Sequence, residues 1–484
     1  MKPLLNVQGL EIRSATAQLV APISLALWPG QVLTIIGETG SGKSLFAQGV
    51  VGNLPPGLQA HGQIELANGL REQGTDLARR QLWGREIAVL PQEPWLSLDP
   101  TMRALSQVSE TYRHVLGKPE REAARLGGES LAGLGLEQAR DKYPFQLSGG
   151  MAQRLAFAAT HAGGAKVMIA DEPTKGLDSA RIGEVVALLQ AGLADGGALL
   201  IITHDVEVAR QLGGEVMIML KGQVVESGPA EQVLNRPVHD YSRLLMAANP
   251  ARWPRRPAQP LGPPVVQVRD LGAERGGRRL FEGLSLAIGA GEVVGVTGPS
   301  GCGKSTLGDI ILGLIAPGEG SVQRQAGLPR VAMQKLFQDP VAAFPPTLTL
   351  GRNLDDLLRL HRLEAGQIPR LMQRLRLAPE LLQRRPGQVS GGELQRFSLL
   401  RVLLLKPVFI FADEPSSRLD MITQKEMIDL LLEMAREYQT AVLLVSHDVA
   451  LIEAVADRHL RLDAVAQHSP SERQLEAHSK ACSV

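Results

Sequence analysis

Two glycine-rich segments have the residue types and spacing needed to hold a phosphate group. Both follow the pattern G-x-x-x-x-G-K-S, at Gly37–Ser44 and Gly298–Ser305. Backbone amides at a turn that opens a helix form an anion-binding cradle, and glycine lets the main chain approach the phosphates closely. The lysine would reach the β- and γ-phosphates, and the serine would bind Mg²⁺. The residues expected to bind the nucleotide are Gly37, Gly40, Gly42, Lys43 and Ser44 in the first segment and Gly298, Gly301, Gly303, Lys304, Ser305 and Thr306 in the second.

Two pairs of adjacent carboxylates could supply the remaining chemistry of phosphate hydrolysis. The tetrapeptide Ala-Asp-Glu-Pro ends an apolar run at two places in the chain. Asp171 and Asp413 would hold Mg²⁺ through its water shell, whereas Glu172 and Glu414 would orient or activate the attacking water. Alone, such a sequence more often just terminates a strand. A phosphate loop at a repeated distance upstream favours the catalytic interpretation.

Two glutamines and two histidines complete the candidate sites. Gln92 and Gln338 lie in turn-like contexts beside proline, where the amide could bind Mg²⁺ or the attacking water and so sense the γ-phosphate. His204 and His447 follow apolar strands, where the imidazole could bond the γ-phosphate. Without context, a glutamine in a loop is about as often merely solvated, and a lone histidine at a strand end is usually just a satisfied polar group.

The tripeptide Ser-Gly-Gly opens a predicted helix in each half of the chain. These residues are Ser148, Gly149 and Gly150 in the first half and Ser390, Gly391 and Gly392 in the second. Serine can cap a helix N-terminus. Alternatively, its hydroxyl and the following amides could form a second anion site for a γ-phosphate held by another domain. Spacing alone leaves both possibilities open.

The motifs recur in the same order, so the chain is an internal duplication. The offset between copies is 242 residues for the Ala-Asp-Glu-Pro and Ser-Gly-Gly motifs. However, 49 residues separate Lys43 from Gln92, whereas only 34 separate Lys304 from Gln338. The second copy has therefore lost about fifteen residues between its phosphate loop and its glutamine.

The elements that must position these motifs alternate in type, as in a parallel sheet with crossover helices, so the fold class is α/β. Apolar runs predict six strands, at Gln31–Gly37, Lys166–Asp171, Ala198–His204, Glu292–Gly298, Val408–Asp413 and Val442–His447. Leu- and Arg-rich periodicity predicts helical segments at Met102–Leu116 and Leu354–Leu375.

Composition divides the chain into two nucleotide-binding domains and two lesser segments. The first domain is expected at 1–248 and the second at 265–463. Between them, 249–264 is rich in proline, which predicts a semi-rigid spacer outside either core. The segment 464–484 is polar and is expected to be a poorly ordered tail.

Length, charge and cysteine content exclude several classes of protein. The 484 residues predict two to four domains, and a 44% hydrophobic fraction excludes wholesale disorder. A formal charge of +1 gives no global attraction to nucleic acid or anionic lipid. Two cysteines exclude a disulfide scaffold or a four-cysteine metal site within the chain. No apolar run reaches the length of a membrane helix and the N-terminus is no signal peptide, so we expect a soluble, cytoplasmic chain.

In this order, the motifs resemble those of the ATP-binding cassette (ABC) ATPases, over nearly the whole chain and twice. The resemblance implies tandem P-loop NTPase domains, each a RecA-like parallel-sheet core with an antiparallel β subdomain and a helical signature subdomain. It also implies head-to-tail pairing, in which Ser390 would serve the nucleotide bound by Lys43, and Ser148 the nucleotide bound by Lys304. The D-loops would end at Asp178 and Asp420.

Three segments narrow the resemblance to the peptide/nickel importer ATPases, with the two ATPase chains of such a system fused. They are QEPWLSLDP after Gln92, YPFQLSGGMAQR at Tyr143–Arg154, and GQVVESGPAEQVLNRPVHDYSRLL at Gly222–Leu245. The second half, with LFQDPVAAFPP and RPGQVSGGELQR, is similar to the partner ATPase.

The chain also departs from the family pattern. Its signatures read LSGGM and VSGGE where LSGGQ is usual, and Lys175-Gly176 replaces small or polar residues in the first D-loop. Arg13 and Arg275 stand where an adenine-stacking aromatic is expected, and could stack by cation–π contact. The cysteine cluster that some members carry after the first cassette is absent.

The resemblance implies the ATP- and Mg²⁺-dependent motor of an importer. Its partners would be two transmembrane permease subunits and an extracytoplasmic substrate-binding protein, with no nucleic acid. The chain would be peripheral to the cytoplasmic face of the inner membrane. The cargo stays open among peptides, nickel and metal–chelator complexes. One alternative is a soluble tandem-cassette ATPase acting on ribosomes or DNA, which the short spacer and the near-zero charge disfavour. Another is a purely structural pair, disfavoured because both catalytic glutamates are present.

Overall fold

The computed structural model describes residues 2–67, 71–73, 81–92, 94–174, 179–193, 196–257, 262–417 and 419–462. The first predicted D-loop, with Lys175, Gly176 and Asp178, and the predicted tail at 464–484 lie outside the described residues. The chain divides into two compact units. The first is Met1–Arg252 with Asp420–Ile422, and the second is Trp253–Leu419 with Thr423–Val484.

The first half of the chain contains two sheets. Its strands are β1 (Leu5–Arg13), β2 (Gln18–Leu27), β3 (Val32–Ile36), β4 (Gln59–Leu66), β5 (Arg71–Gln73), β6 (Ile87–Leu90), β7 (Val167–Asp171), β8 (Ala198–Thr203), β9 (Glu215–Leu220) and β10 (Gln223–Pro229). A four-stranded antiparallel sheet has the order β2-β1-β4-β5. A six-stranded sheet has the order β10-β9-β3-β8-β7-β6 and is parallel except for its β10 edge.

Helices connect these strands and cover the parallel sheet. They are α1 (Lys43–Val51), α2 (Ala104–Glu110), α3 (Glu120–Gly133), α4 (Gly149–His161), α5 (Ser179–Ala191), α6 (Val206–Leu212), α7 (Ala230–Asn235) and α8 (Asp240–Ala247). The central strands β3 and β8 are buried along their whole length, as expected for a parallel sheet covered on both faces.

The second half repeats this plan with fewer strands. They are β11 (Pro264–Arg275), β12 (Arg278–Gly289), β13 (Val293–Thr297), β14 (Glu319–Arg324), β15 (Met333–Leu336), β16 (Phe409–Asp413), β17 (Ala441–Val445) and β18 (Arg458–Arg461). The antiparallel sheet is β12-β11-β14, and the parallel sheet is β15-β16-β17-β13-β18. The second copy thus has no described counterpart of β5, which lies within the interval where it is shorter.

The helices of the second half follow the same order. They are α9 (Lys304–Leu312), α10 (Leu350–His361), α11 (Gln367–Arg374), α12 (Gly391–Leu404), α13 (Met421–Glu437) and α14 (Val449–Val455). The fold class is therefore α/β with tandem P-loop domains, as predicted.

The helical predictions were too coarse. The segment predicted at Met102–Leu116 is α2 followed by a π-helical turn, Thr111–Val115. The segment predicted at Leu354–Leu375 is two helices, because the chain turns at Arg362, which has a left-handed φ of 54°. Hydrophobic periodicity continues across this break, so the sequence pattern alone did not reveal it.

The beginning of the predicted spacer packs against the second unit instead of standing clear of it. Trp253 is partly buried against that unit's hydrophobic core, with Lys425 over its ring at 4.9 Å. The Arg256 N–H donates to the Ala454 carbonyl at 3.0 Å. Proline content predicted an extended backbone but gave no sign of this tryptophan anchor.

Candidate active sites

Parallel strands bring the candidate residues of the first unit to one edge of the sheet. The phosphate loop follows β3, the Asp-Glu pair ends β7, and His204 follows β8. Because β3, β8 and β7 are adjacent and parallel, their carboxyl ends lie at the same edge. Open α/β sheets bind ligands at this edge.

The first phosphate loop is held by its own lysine. Lys43 Nζ donates to the carbonyls of Gly37 and Glu38 at 2.7 and 2.8 Å. Gly40 and Gly42 have φ of 83° and 98°, which glycine adopts without strain. Burial lowers the pKa of Lys43, although Glu172 and Asp171 act in the opposite direction.

Ser44 and Asp171 meet at the start of α1. Ser44 Oγ donates to Asp171 Oδ1 at 3.1 Å, although 127 residues separate the two in sequence. A hydroxyl and a carboxylate are hard oxygen ligands, and a cation such as Mg²⁺ prefers this type. The two residues predicted to hold the metal are therefore side by side.

Glu172 has an unusual backbone conformation. Its φ is 48°, in the left-handed region, and its N–H donates to the Ile202 carbonyl at 2.7 Å. Such a conformation is costly for a residue with a Cβ and persists where the surroundings enforce it. Here the enforced turn directs the carboxylate toward His204.

Glu172 and His204 are joined by a short hydrogen bond. Glu172 Oε2 lies 2.7 Å from His204 Nδ1 and 3.4 Å from the donating Thr203 Oγ1. Burial acts to raise the pKa of Glu172, but the hydrogen bond and charge of His204 outweigh it, so the pKa is lowered. Burial likewise acts to lower the pKa of His204, but the carboxylate outweighs it and the pKa is raised.

The second unit repeats the phosphate loop and the serine–aspartate contact. Lys304 Nζ donates to the carbonyls of Gly298 and Pro299 at 2.7 and 3.1 Å. Ser305 Oγ donates to Asp413 Oδ1 at 3.0 Å. Thr306, one residue further along α9, is buried.

Glu414 is more fully engaged than its counterpart in the first unit. Its φ is also 48°, and its N–H donates to the Val445 carbonyl at 3.1 Å. Gln338 Nε2 donates to Glu414 Oε2 at 2.8 Å, and His447 Nε2 lies 2.5 Å from Glu414 Oε1. The structure therefore brings together the glutamine, glutamate and histidine that the second motif set predicted.

The first unit does not assemble its glutamine in this way. Gln92 is exposed and, within the described residues, makes no hydrogen bond to Glu172. It lies beside Asp171 at a cavity of about 630 Å³, whose lining also includes Gln48, Trp83 and Val89.

In the second unit, Lys335 lies beside Asp413, and sequence reasoning did not identify this lysine. Lys335 Nζ lies 2.7 Å from Asp309 Oδ1 and 3.4 Å from Asp413 Oδ2. Burial raises the pKa of Asp413, and Lys335 partly offsets this. A charged residue three positions before Gln338, in the short strand β15, was the available signal. Motif alignment puts Val89 and Gln48 at the corresponding positions of the first unit.

Both signature serines cap their own helices. Ser148 Oγ accepts from the Met151 N–H at 3.4 Å. Ser390 Oγ accepts from the Glu393 N–H at 3.2 Å, and the Ser390 N–H donates to Glu393 Oε2 at 2.8 Å, completing a capping box. The capping interpretation thus holds in the structure, and the role in a second anion site stays a prediction. So does adenine stacking by Arg13 and Arg275, of which Arg13 pairs with Glu11 at 3.1 Å.

The residues of each unit could hold Mg²⁺ only together with phosphate oxygens and water. Among the described residues, no group of three or more His, Cys, Asp or Glu side chains could hold a metal ion. One hydroxyl and one carboxylate in each unit leave most of an octahedral shell to phosphate oxygens and water. This is the usual arrangement for Mg²⁺ bound together with a nucleotide.

No helix in the described part of the chain is both long and apolar enough to cross a membrane.

Comparison with known proteins finds one family twice, once in each half of the chain. The ABC transporter family matches residues 20–175 and 281–417. The chain is 32% identical to the peptidoglycan transport ATP-binding protein YejF of Agrobacterium fabrum, covering 94% of this chain and 90% of that protein. It is also 32% identical to the glutathione import ATP-binding protein GsiA of Salmonella typhi, covering 94% and 84% respectively.

Two solved structures match most of the fold at lower identity. An RNase-L inhibitor matches with a TM-score of 0.64 and 20% identity, over 96% of this chain and 92% of that one. An archaeal ribosome recycling factor, solved with a ribosomal stalk protein, matches with a TM-score of 0.65 and 21% identity, over 94% and 90%. At this identity the likeness concerns the fold alone.

Proposed function

Because the chain belongs to the ABC transporter family and is an ATPase with two fused cassettes, we propose that it powers import of a peptide-class cargo through partner membrane subunits. The observation that carries the proposal is the 32% identity, over 94% of the chain, to proteins named for peptidoglycan and glutathione transport. Both cargoes contain peptide bonds. Nickel and metal–chelator complexes stay among the alternatives for the cargo.

We propose that both units bind and hydrolyse ATP. Lys43 and Lys304 leave the loop carbonyls that they contact and bind the β- and γ-phosphates. Mg²⁺ would be held by Ser44 with Asp171 and by Ser305 with Asp413, where it neutralises phosphate charge. Glu172 and Glu414 orient the attacking water, each fixed by its histidine.

The signature serines have a second role in this proposal. Ser148 and Ser390 contact the γ-phosphate bound by the opposite unit, and ATP favours the closed state because only that state uses these contacts. Closure then moves the membrane subunits, and hydrolysis reverses it. Gln92 and Gln338 report the γ-phosphate to those subunits.

A role on ribosomes is the second candidate, favoured only by the fold likeness to the ribosome recycling factor. Relatives at 32% identity outweigh structures near 20%, and a net charge of +1 offers little attraction to RNA.

The import proposal also places the chain at the cytoplasmic face of the inner membrane, held there by its permeases.

The proposal is tested by fractionating cells that express the tagged full-length chain. We expect it to sediment with membranes and to co-purify in detergent with two membrane-spanning subunits. Uptake of labelled glutathione, a dipeptide and nickel is then compared between the parent and Glu172→Gln with Glu414→Gln. Loss of uptake of one of them supports the import role. Co-sedimentation with ribosomes, with all three uptakes unchanged, would contradict it.

A further inference from the structure

One peptide group of the first phosphate loop is held at both ends. The peptide joining Gly37 to Glu38 accepts a hydrogen bond from Lys43 Nζ at its carbonyl, at 2.7 Å. Its N–H, on Glu38, donates to the phenol oxygen of Tyr241 at 3.0 Å. Tyr241 is 203 residues distant in sequence and lies outside the phosphate-loop motif.

Tyr241 is itself fixed in place. It lies in the first turn of α8, where its N–H donates to Nδ1 of the capping His239 at 3.1 Å. Glu226 holds the approach to this helix by accepting the N–H groups of Val238 and His239 at 2.9 and 3.0 Å. The ring is 8% exposed and shares a hydrophobic cluster with Ile36, the last residue of β3. Burial raises the pKa of Tyr241 to about 12, so its hydroxyl stays protonated.

In the second unit, the corresponding residue has no N–H that needs an acceptor, and its ring restricts the backbone. The residue equivalent to Glu38 is Pro299, which has no N–H to satisfy and whose ring fixes φ. The lysine contacts otherwise correspond, since Lys304 bonds the Gly298 and Pro299 carbonyls as Lys43 bonds those of Gly37 and Glu38. The loops therefore share their lysine contacts and differ in how the opening peptide is held.

From this pairing we propose that Tyr241 is a positioning residue for ATP binding in the first unit. Its hydroxyl fixes the peptide that opens the phosphate loop, the task that Pro299 performs in the second unit. When Lys43 leaves the loop carbonyls for the phosphates, the Tyr241 bond stays as a restraint on this peptide. A loop without it must be ordered by the nucleotide, which weakens binding.

The test measures the Kd for ATP of the full-length chain in a Lys304→Ala background, so that binding reports on the first unit. Tyr241→Phe is expected to raise this Kd about tenfold, the equivalent of one buried hydrogen bond. Tyr112→Phe is the matched control, because it removes another part-buried tyrosine hydroxyl, 2.8 Å from Ser130 Oγ. It is expected to leave the Kd unchanged.

Adding Glu38→Pro to Tyr241→Phe copies the second unit and separates positioning from simple loss of stability. It removes the donor left without an acceptor, so the Kd is expected to return to within about twofold of the parent. Adding Glu38→Ala instead keeps the N–H and should give no recovery. Parental binding by Tyr241→Phe, or the same weak binding with Glu38→Pro added, would overturn the proposal.

Discussion

At the scale of single residues, the two glutamates proposed to act on water share a feature that motif reading does not predict. Glu172 and Glu414 both have a φ of 48°, and each N–H is tied to the neighbouring strand. Because both glutamates share this backbone conformation, we expect both units to be competent for hydrolysis. Each glutamate contacts the histidine of its own unit, so both should contribute to turnover.

We therefore expect Glu172→Gln and Glu414→Gln each to lower ATP turnover in the assembled complex. The double variant should fall by a factor of about 100 or more, the usual contribution of a general base. The measurement is phosphate release, with ATP binding as the control for intact phosphate loops. Full turnover in one single variant, alongside abolished turnover in the other, would contradict two competent sites.

The Glu172–His204 pair also predicts a pH dependence of stability. The pKa of His204 is raised above its ordinary 6.5, so its contribution is complete below about pH 6.5 and is lost as pH rises through the raised value. The pKa of Glu172 is lowered below 4.5, so its contribution is present above about pH 4.5 and is lost as pH falls through the lowered value. The pair stabilises most between these limits.

His204→Gln should thus destabilise the chain most between about pH 4.5 and 6.5, and less at higher pH. Thermal unfolding of parent and variant across this range measures the difference. A difference that is constant with pH would show that the bond does not depend on the histidine charge.

Lys335 predicts unequal metal affinity at the two sites. Its ammonium group lies 3.4 Å from Asp413 Oδ2, and the first unit has Val89 at the aligned position. The Lys335 ammonium group repels a metal ion bound at Asp413. Partial exposure and salt reduce this repulsion. Lys335→Met with Asp309→Asn removes the ammonium group together with its other carboxylate partner, and should tighten Mn²⁺ binding with ATP at least about threefold in a Lys43→Ala background. Electron paramagnetic resonance of free Mn²⁺ reports this. Unchanged affinity would argue against electrostatic competition.

At the scale of elements, the two signature helices begin differently. The helix α12 starts with a capping box in which Ser390 and Glu393 exchange bonds, whereas Ser148 makes a single longer cap bond at α4. An N-cap serine contributes about 0.5–2 kcal/mol. Ser390→Ala should therefore lower the melting temperature more than Ser148→Ala does.

Arginine in place of Ser148 and Ser390 should prevent closure on ATP. In a Glu172→Gln, Glu414→Gln background, ATP should compact the parent, as followed by small-angle scattering, but not Ser148→Arg with Ser390→Arg. The reason is that a bulky cation obstructs the γ-phosphate contact, while the phosphate loop still binds ATP. Compaction like the parent's would overturn the composite sites.

Sequence reasoning placed strands better than helices for physical reasons. Buried parallel strands are short apolar runs bounded by Gly, Pro or Asp, so β7 and β16 each began one residue after the predicted start and ended where expected. A helical pattern survives a turn such as the one at Arg362, so α10 and α11 were read as one. Spacing was sufficient to select the motif residues as candidates, and their roles stay predictions. Lys335 and Tyr241 could not be selected in this way, because they reach the sites through tertiary packing.

At the scale of the whole molecule, the chain provides ATP chemistry and lacks any described helix able to cross a membrane. We expect the purified chain to bind ATP, to hydrolyse it slowly, and to bind neither glutathione nor nickel tightly. Addition of its membrane subunits should raise turnover, because they would favour closure. Calorimetry and phosphate release measure the two properties. Tight cargo binding by the chain alone would contradict this division of labour.

The bond between Tyr241 and Glu38 also bears on how a fused gene can evolve. Two homologous stretches in one gene are open to gene conversion, in which one copy overwrites part of the other. A converted tract covering only the first loop would bring in proline and leave Tyr241 without its donor, 203 residues away. The reverse tract would bring glutamate into the second loop, with an N–H for which no acceptor was selected. Short exchanges between the two loops should therefore be selected against, and this helps the two halves to stay distinct.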